Sequence, residues 1–413
     1  MEAVLLTLAE RMARLDETPI RLEAARCLHS QNKDAVCSAC VDVCPADAIA
    51  LAGGVTLDGE TCVVCGACLP VCPTGAFEGD DGVADLLQCA VNLEPGTPLE
   101  LACAHHPAPE QGAADAPAHV AVVRVEICLA ALGPSAYLAL GCAGMTQIGV
   151  RLDACAGCAL GRAASAIPAA VGMAQELLAR GGVEGSLTLL AEVPAERTRP
   201  VYSTQNPPLS RRGLFRVLAN QGARQAARLL GSDAALAGVR GPSRERRRLI
   251  AALRRLPIAD ADASLDGLPF AAYAAAASCT ACGVCARVCP TAALTFYSGD
   301  EIDGEPESAD TYQLRFAPAA CIDCDLCRRV CAPDALERTA LTLGALLDEG
   351  ELVLAEGELR TCAKCKARFA PVQDETLCPP CAYRRKHPFG SVMPPGLERA
   401  GSFNPPRENG KPV

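Results

Sequence analysis

The chain has no tryptophan, and only 3% of its 413 residues are aromatic. A surface that stacks bases needs such rings, and a groove that tracks phosphates needs excess positive charge. Here the formal net charge is −10, so no nucleic-acid partner and no anionic-membrane partner is expected. No stretch reaches the roughly 18 uninterrupted apolar residues of a membrane span, so no integral membrane segment is expected. Residues 1–27 show acidic residues and an amphipathic rhythm (Leu5, Leu8, Met12, Leu15) in place of a basic start and an apolar core. A cytoplasmic location follows as the expectation. Also missing are a G-x-G-x-x-G turn after a strand and a Gly-x4-Gly-Lys-Ser/Thr loop, which excludes the usual flavin, nicotinamide and P-loop nucleotide sites.

Cysteine, in contrast, is abundant, with 26 copies. Such a count means disulfides or metal. Disulfide frameworks belong to small secreted domains, whereas this length has room for about two to four domains with their own cores. Reduced thiols holding metal are the better reading.

The densest signal runs from Cys279 to Cys331. Cys279, Cys282, Cys285 and Cys289-Pro290 form one C-x2-C-x2-C-x3-C motif, and Cys321, Cys324, Cys327 and Cys331 form another. In the second, Ala332 precedes Pro333, so the proline comes one residue late. This spacing suits an iron–sulfur cube and poorly suits a tetrahedral zinc knuckle. The pair of motifs resembles bacterial two-cluster ferredoxins, in which the fourth cysteine of each motif reaches across to the other cluster. The resemblance implies one [4Fe–4S] cluster on Cys279, Cys282, Cys285 and Cys331, and another on Cys321, Cys324, Cys327 and Cys289.

Residues 27–78 repeat the pattern. Cys62, Cys65, Cys68 and Cys72-Pro73 are an unbroken motif; Cys37, Cys40 and Cys44-Pro45 lack a first cysteine, and Asp34 stands where it would be. Three solutions stay open: Cys27 supplies the ligand from an enlarged loop, Asp34 coordinates, or the cluster has three irons. A soft thiolate suits cluster iron better than a carboxylate, which favours Cys27. Strand–turn–strand hairpins are expected at 48–57 and, with an acidic tip at 299–310, at 293–316.

The residues between these repeats change character. Apolar runs at 99–103, 120–125, 148–152 and 186–193 read as strands, with helices after Pro134 and over 159–180, so a small parallel α/β domain is expected. It holds Cys103, Cys128, Cys155 and Cys158 at strand ends, the edge where open α/β folds build their sites. The run Val125-Glu-Ile-Cys128 through the close pair Cys155 and Cys158 is similar to the small iron–sulfur delta subunit of hydrogenases that feeds heterodisulfide reductase. That family often has two cysteines at its first strand, where His105 and His106 follow Cys103 here, and a wider closing pair. The resemblance implies a further Fe–S cluster; the alternative is that these are buried packing residues, as is expected of Cys89 and Cys142. Lying between the repeats, this domain is expected to link them.

Residues 211–255 carry twelve arginines against Asp233 and Glu245. Apolar Leu214, Phe215, Leu218, Leu229 and Leu230 suggest amphipathic helices, with the arginines on a solvated face or docking a partner. Ser210-Arg211-Arg212-Gly213-Leu214-Phe215 looks like a twin-arginine export signal, but it lies deep inside the chain with no apolar core after it. Similar Ser-Arg-Arg stretches occur in ferredoxin-type accessory proteins of molybdenum reductases. Finally, Cys362, Cys365, Cys378 and Cys381 resemble a zinc ribbon, a closed four-sulfur site with a structural role.

The expected layout is α+β and multidomain: an N-terminal helix (1–26), ferredoxin-like 2[4Fe–4S] module 1 (27–85), a cysteine-containing α/β domain (86–196), an Arg-rich helical connector (197–277), module 2 (278–340), the zinc ribbon (341–386) and a flexible tail (387–413). Four [4Fe–4S] clusters, a possible fifth Fe–S centre and one zinc are expected. All-cysteine clusters pass single electrons, so the expected role is a non-catalytic electron conduit between redox partners of the hydrogenase, formate dehydrogenase or molybdenum reductase type. Two alternatives stand beside it: an oxidoreductase subunit with a substrate-facing cluster or thiol in the α/β domain, and a nucleic-acid regulator built on the zinc ribbon and the arginines.

Overall fold

Apolar residues alternate or cluster in short runs between the cysteine motifs, and each run pairs with another of its own repeat. The computed structural model describes residues 20–33, 35–112, 120–192, 197–204, 240–299 and 310–387. In module 1, four two-residue strands, β1 (Arg21–Leu22), β2 (Ile49–Ala50), β3 (Thr56–Leu57) and β4 (Phe77–Glu78), make two antiparallel pairs. β2 and β3 form the expected hairpin, while β1 closes the module against β4. The N-terminal helix falls mostly on residues outside the described ones. Residues 20–26 are not helix: buried Ile20 leads into β1, and a 3-10 turn (Ala24–Arg26) follows.

The central region is a mixed α/β unit around a five-stranded parallel sheet. Its strands are β5 (Leu99–Cys103), β7 (Ala121–Val125), β8 (Gln147–Arg151), β9 (Ser186–Leu190) and β11 (Val201–Ser203), in the order β11-β7-β5-β8-β9. A small flanking pair joins β6 (Gln111–Gly112) to β10 (Arg197–Thr198). Helices Pro134–Cys142 and Ala166–Arg180 make the crossovers, and Gly182 in the left-handed region ends the second. The chain leaves central β5 for β7 on one side and then crosses to β8 on the other. The crevice at the strand C-termini therefore lies at a topological switch point. β11 lies past residue 196, so the sheet borrows its outermost strand from the stretch expected to be connector.

Module 2 repeats the plan of module 1. β12 (Ala272–Ala275) pairs with β15 (Leu336–Thr339), and β13 (Leu294–Ser298) with β14 (Thr311–Phe316). β16 (Leu352–Glu358) then lengthens the hairpin sheet along β14. Most of the acidic tip at 299–310 is outside the described residues. β17 (Arg360–Thr361) and β18 (Arg368–Phe369) form one C-terminal knuckle, whereas the second runs into helix Pro379–Lys386 and not into a second hairpin.

The described part of the connector is a keystone. Five of the twelve arginines over 211–255, with the Ser-Arg-Arg stretch and the amphipathic positions 214–230, lie outside the described residues. Helix Arg244–Leu253 starts at Ser243, whose hydroxyl accepts from Arg246 N at 3.1 Å. Leu249, Ile250 and Leu253 enter one continuous core with the α/β helices and with Leu294 and Phe316 of module 2, while the β-hairpin side of module 1 keeps a core of its own. The polar residues on this helix turn inward too. Arg248 reaches Asp81 at 2.8 Å, Glu245 accepts from Ser135 N at 2.8 Å and Oγ at 2.6 Å, and Arg246 donates to Ala319 O at 2.9 Å and Pro318 O at 3.1 Å. Arg246 also stacks on Phe270 at 4.4 Å. These arginines are neither a solvated face nor a docking surface, because each finds a partner in a different module.

Candidate metal centres

Four cavities are each lined by four cysteines. Cys279, Cys282, Cys285 and Cys331 share one, and Cys289, Cys321, Cys324 and Cys327 another. In module 1, Cys44, Cys62, Cys65 and Cys68 share the third, and Cys27, Cys37, Cys40 and Cys72 the fourth. We call these the Cys279, Cys321, Cys62 and Cys27 centres. The space in each is 310 to 410 Å³ with its open mouth included, and the other lining is almost wholly apolar. Cys27 thus lies where the interrupted motif lacks a ligand. It follows the Ala24–Arg26 turn, and a short helix (Leu28–Gln31) occupies the enlarged loop. Asp34 is outside the described residues.

The backbone repeats with the motifs. Val64, Ala281 and Asp323, each just before the second cysteine, have φ of 54, 52 and 53°. Asp47, Gly75, Ala292 and Asp334, each three residues past a fourth cysteine, have φ of 51, 64, 54 and 50°. Left-handed residues set among right-handed ones curl backbone N–H groups into a concave nest that favours negative charge. Several of these groups reach sulfur: Ala48 N to Cys44 Sγ at 3.3 Å, Ala76 N to Cys72 Sγ at 3.2 Å, and Ala335 N to Cys331 Sγ at 3.2 Å. The interrupted motif departs from this rule at Ser38, whose φ is −125° where Gly66 and Gly283 are left-handed.

Thiol chemistry fits the same grouping. Burial first, and then repulsion from Cys72, Cys37 and Cys27, pushes the Cys40 thiol up to about 12. Cys285 and Cys321 are likewise raised to about 12, chiefly by burial. Neutral thiols would sit idle in such pockets; an iron–sulfur cube takes them as thiolates and releases their protons.

Sulfur spacing separates two kinds of site. Around one zinc at 2.3 Å, tetrahedral sulfurs stand about 3.8 Å apart. Cys362, Cys365, Cys378 and Cys381 meet that condition: their sulfurs all lie within 4.8 Å of one another, and Cys365 and Cys378 are 3.5 Å apart. No other group of three or more Cys, His, Asp or Glu ligand atoms among the described residues comes so close together. The four cysteine cavities hold their sulfurs farther apart, as a multi-atom cluster requires. Backbone N–H groups of Cys365, Cys378 and Lys364 lower the Cys362 thiol to about 6.

The α/β cysteines also converge. Cys103 ends β5, Cys128 follows β7, and Cys155 and Cys158 follow β8. Burial raises Cys103, Cys128 and Cys155, and repulsion within the set adds to it: from Cys158 on Cys103, from Cys103 and Cys155 on Cys128, and from Cys103 and Cys158 on Cys155. Cys128 is buried, while the other three are half-buried at the crevice. A polar network braces the loops that carry them, and nothing in the sequence pattern signalled it. Arg151 donates to Asp153 at 2.8 and 2.7 Å and to Glu100 at 3.4 Å; Arg199 pairs with Glu100, and His106 contacts Asp153 at 3.1 Å. Cys89 is wholly buried, and Cys142 packs half-buried against the keystone helix, its thiol donating to Ala252 O at 3.4 Å.

Gly66 is required twice at the module 1 border. Its φ is +77°, and a Cβ there would lie 2.7 Å from Ala131 Cβ of the α/β unit. Gly66→Ala should therefore destabilise the holoprotein by about 1–3 kcal/mol, visible as a lowered anaerobic melting temperature.

Comparison with known proteins bears on the cysteine repeats. No curated protein and no solved structure matches the chain. Residues 20–76 and 278–335 each match the family model of the 4Fe-4S dicluster domain. The match begins at residue 20, one residue before β1, so the closing strand belongs with the motif. With many cysteines in cluster-like settings, this supports several iron–sulfur clusters and a role in electron transfer. The chain carries the 4Fe-4S dicluster domain twice, one copy on each side of a parallel α/β unit.

Proposed function

We propose that this chain is a multi-cluster electron carrier with four [4Fe–4S] clusters, a fifth Fe–S centre on Cys103, Cys128, Cys155 and Cys158, and one structural zinc. The observation that carries the reading is four cavities with four cysteines each, two to a module. When bound, such clusters supply one-electron storage and transfer. The protein's part is to exclude water, fix the thiolates and aim backbone N–H groups at sulfur, which tunes potential. Its donor and acceptor would be redox enzymes of the hydrogenase, formate dehydrogenase or molybdenum reductase type, and its location the cytoplasm. Anaerobic reductive titration tests the reading. The reconstituted protein should take up at least about four electrons reversibly, one per cubane, with no substrate present. Uptake of one electron or none would refute it.

A second reading makes the α/β centre substrate-facing. Half-exposed Cys103, Cys155 and Cys158 favour it. Against the nucleic-acid reading, Arg246 and Arg248 of the keystone turn inward to protein partners, which leaves them no part in binding phosphates. Zinc on Cys362, Cys365, Cys378 and Cys381 has its own test: removing residues 360–413 should remove one zinc per chain and leave the cluster spectra unchanged. A rubredoxin-like visible band lost with the same truncation would assign iron to the site instead.

A further inference from the structure

Chain order puts the α/β unit between the modules and suggests that electrons cross through it. The contacts point elsewhere. Arg26 is 2% exposed and donates from Nε and Nη2 to Thr74 O at 2.9 and 2.7 Å, and from Nη2 to Gly241 O at 3.0 Å. Gly241 N in turn donates to Pro290 O at 3.3 Å. Thr74 stands two residues past Cys72, a member of the Cys27 centre; Pro290 directly follows Cys289, a member of the Cys321 centre. One arginine side chain and the N–H and C=O of one glycine residue therefore span from one module's cysteine loop to the other's. The fit is close, since a Cβ on Gly75 would lie 3.1 Å from Ser243 Cβ.

The α/β cysteines meet module 1 at its other centre, the one lined by Cys62, Cys65 and Cys68. Gly66, next to Cys65 of the Cys62 centre, abuts Ala131, whose N–H donates to Cys128 O at 3.0 Å. Within each module the two centres are neighbours, because the motif of Cys62, Cys65 and Cys68 sends its last cysteine, Cys72, into the Cys27 centre, and Cys289 and Cys331 cross in the same way in module 2.

We propose that the two dicluster modules exchange electrons directly between the Cys321 and Cys27 centres, across Arg26 and Gly241. The α/β set is then the terminal station beyond the Cys62 centre. The order along the path is Cys279, Cys321, Cys27, Cys62 and then the α/β set. Each step moves one electron from a reduced centre to an oxidised one, with no bond made or broken. The inference rests on the electron-carrier reading above.

The test uses the full reconstituted chain. Sub-stoichiometric dithionite is mixed in anaerobically, and freeze-quench electron paramagnetic resonance follows electron equilibration between module 2 and the Cys27 centre. Cys155→Ala with Cys158→Ala empties only the α/β set and should leave that rate within about twofold, whereas Arg26→Gln should slow it about tenfold or more at unchanged iron content. A tenfold slowing by the double cysteine change, or an unchanged rate in both Arg26→Gln and Arg26→Ala, would overturn the order. Loaded wild-type protein that passes no electrons between modules would instead overturn the carrier reading, and this inference with it.

Discussion

Arg248→Ala should destabilise the protein by about 3–5 kcal/mol, the usual cost of leaving one partner of a buried ion pair behind. Arg248 is 2% exposed by its side chain and Asp81 10%, and their contact is 2.8 Å. Arg244 also reaches Asp81, but at 3.3 Å and from a more exposed position, so it compensates only partly. Asp81 belongs to the turn that opens helix Val83–Ala90, and its Oδ1 accepts from Val83 N at 3.2 Å. The loss should therefore loosen module 1 from the keystone helix before it affects module 2. Anaerobic urea unfolding, followed at the cluster absorbance and by circular dichroism, should show a new early transition. The double change Arg248→Met with Asp81→Leu should recover part of the loss, since Asp81 is then no longer left as a buried carboxylate without Arg248. Equal stability of Arg248→Ala and wild type would mean that the pair is solvated in solution.

Cys27→Ala should remove or convert one cubane and leave the others. The Cys27 cavity has only Cys37, Cys40 and Cys72 as its remaining sulfurs, and three thiolates leave one iron without a protein ligand. Iron should fall by about one to four atoms per chain, according to whether a three-iron cluster persists. Asp34→Ala should change neither iron content nor resonance spectrum. If Asp34→Ala abolishes the signal and Cys27→Ala does not, the carboxylate is the ligand.

How far the sequence carried the reading differs from place to place, and for physical reasons. The close-spaced cysteines were legible because a cube dictates local spacing, and the left-handed residues at Val64, Ala281 and Asp323 follow from the same constraint. The cross-reaching fourth cysteines were legible only through resemblance, since that pairing is long-range. Cys27 was ambiguous because it lies ten positions before Cys37, and only the 3-10 turn and the Leu28–Gln31 helix bring it back. Strands β5, β7, β8 and β9 were visible as apolar runs. Short β11 and the closing pairs β1–β4 and β12–β15 were not, because strands of two to four residues carry almost no periodic signal.

The keystone was the least legible part. An arginine-rich segment reads as solvated because arginine is seldom buried without a partner. Here the arginines' partners are Asp81 and the Pro318 and Ala319 carbonyls, and Glu245 finds Ser135, all some 70 to 170 residues away in sequence. No local pattern reports such distant complementarity. The Glu100–Arg151–Arg199 network was hidden for the same reason: a single glutamate on a buried strand announces nothing until two arginines meet it.

Metal analysis of the anaerobically reconstituted full chain tests the central claim most directly. Four cubanes predict about sixteen iron and sixteen sulfide per chain, with about two to four more iron if the α/β set is filled, and one zinc. The Mössbauer spectrum should be that of cubane iron. Less than half that iron after full reconstitution, or iron without matching sulfide, would contradict the four-centre account.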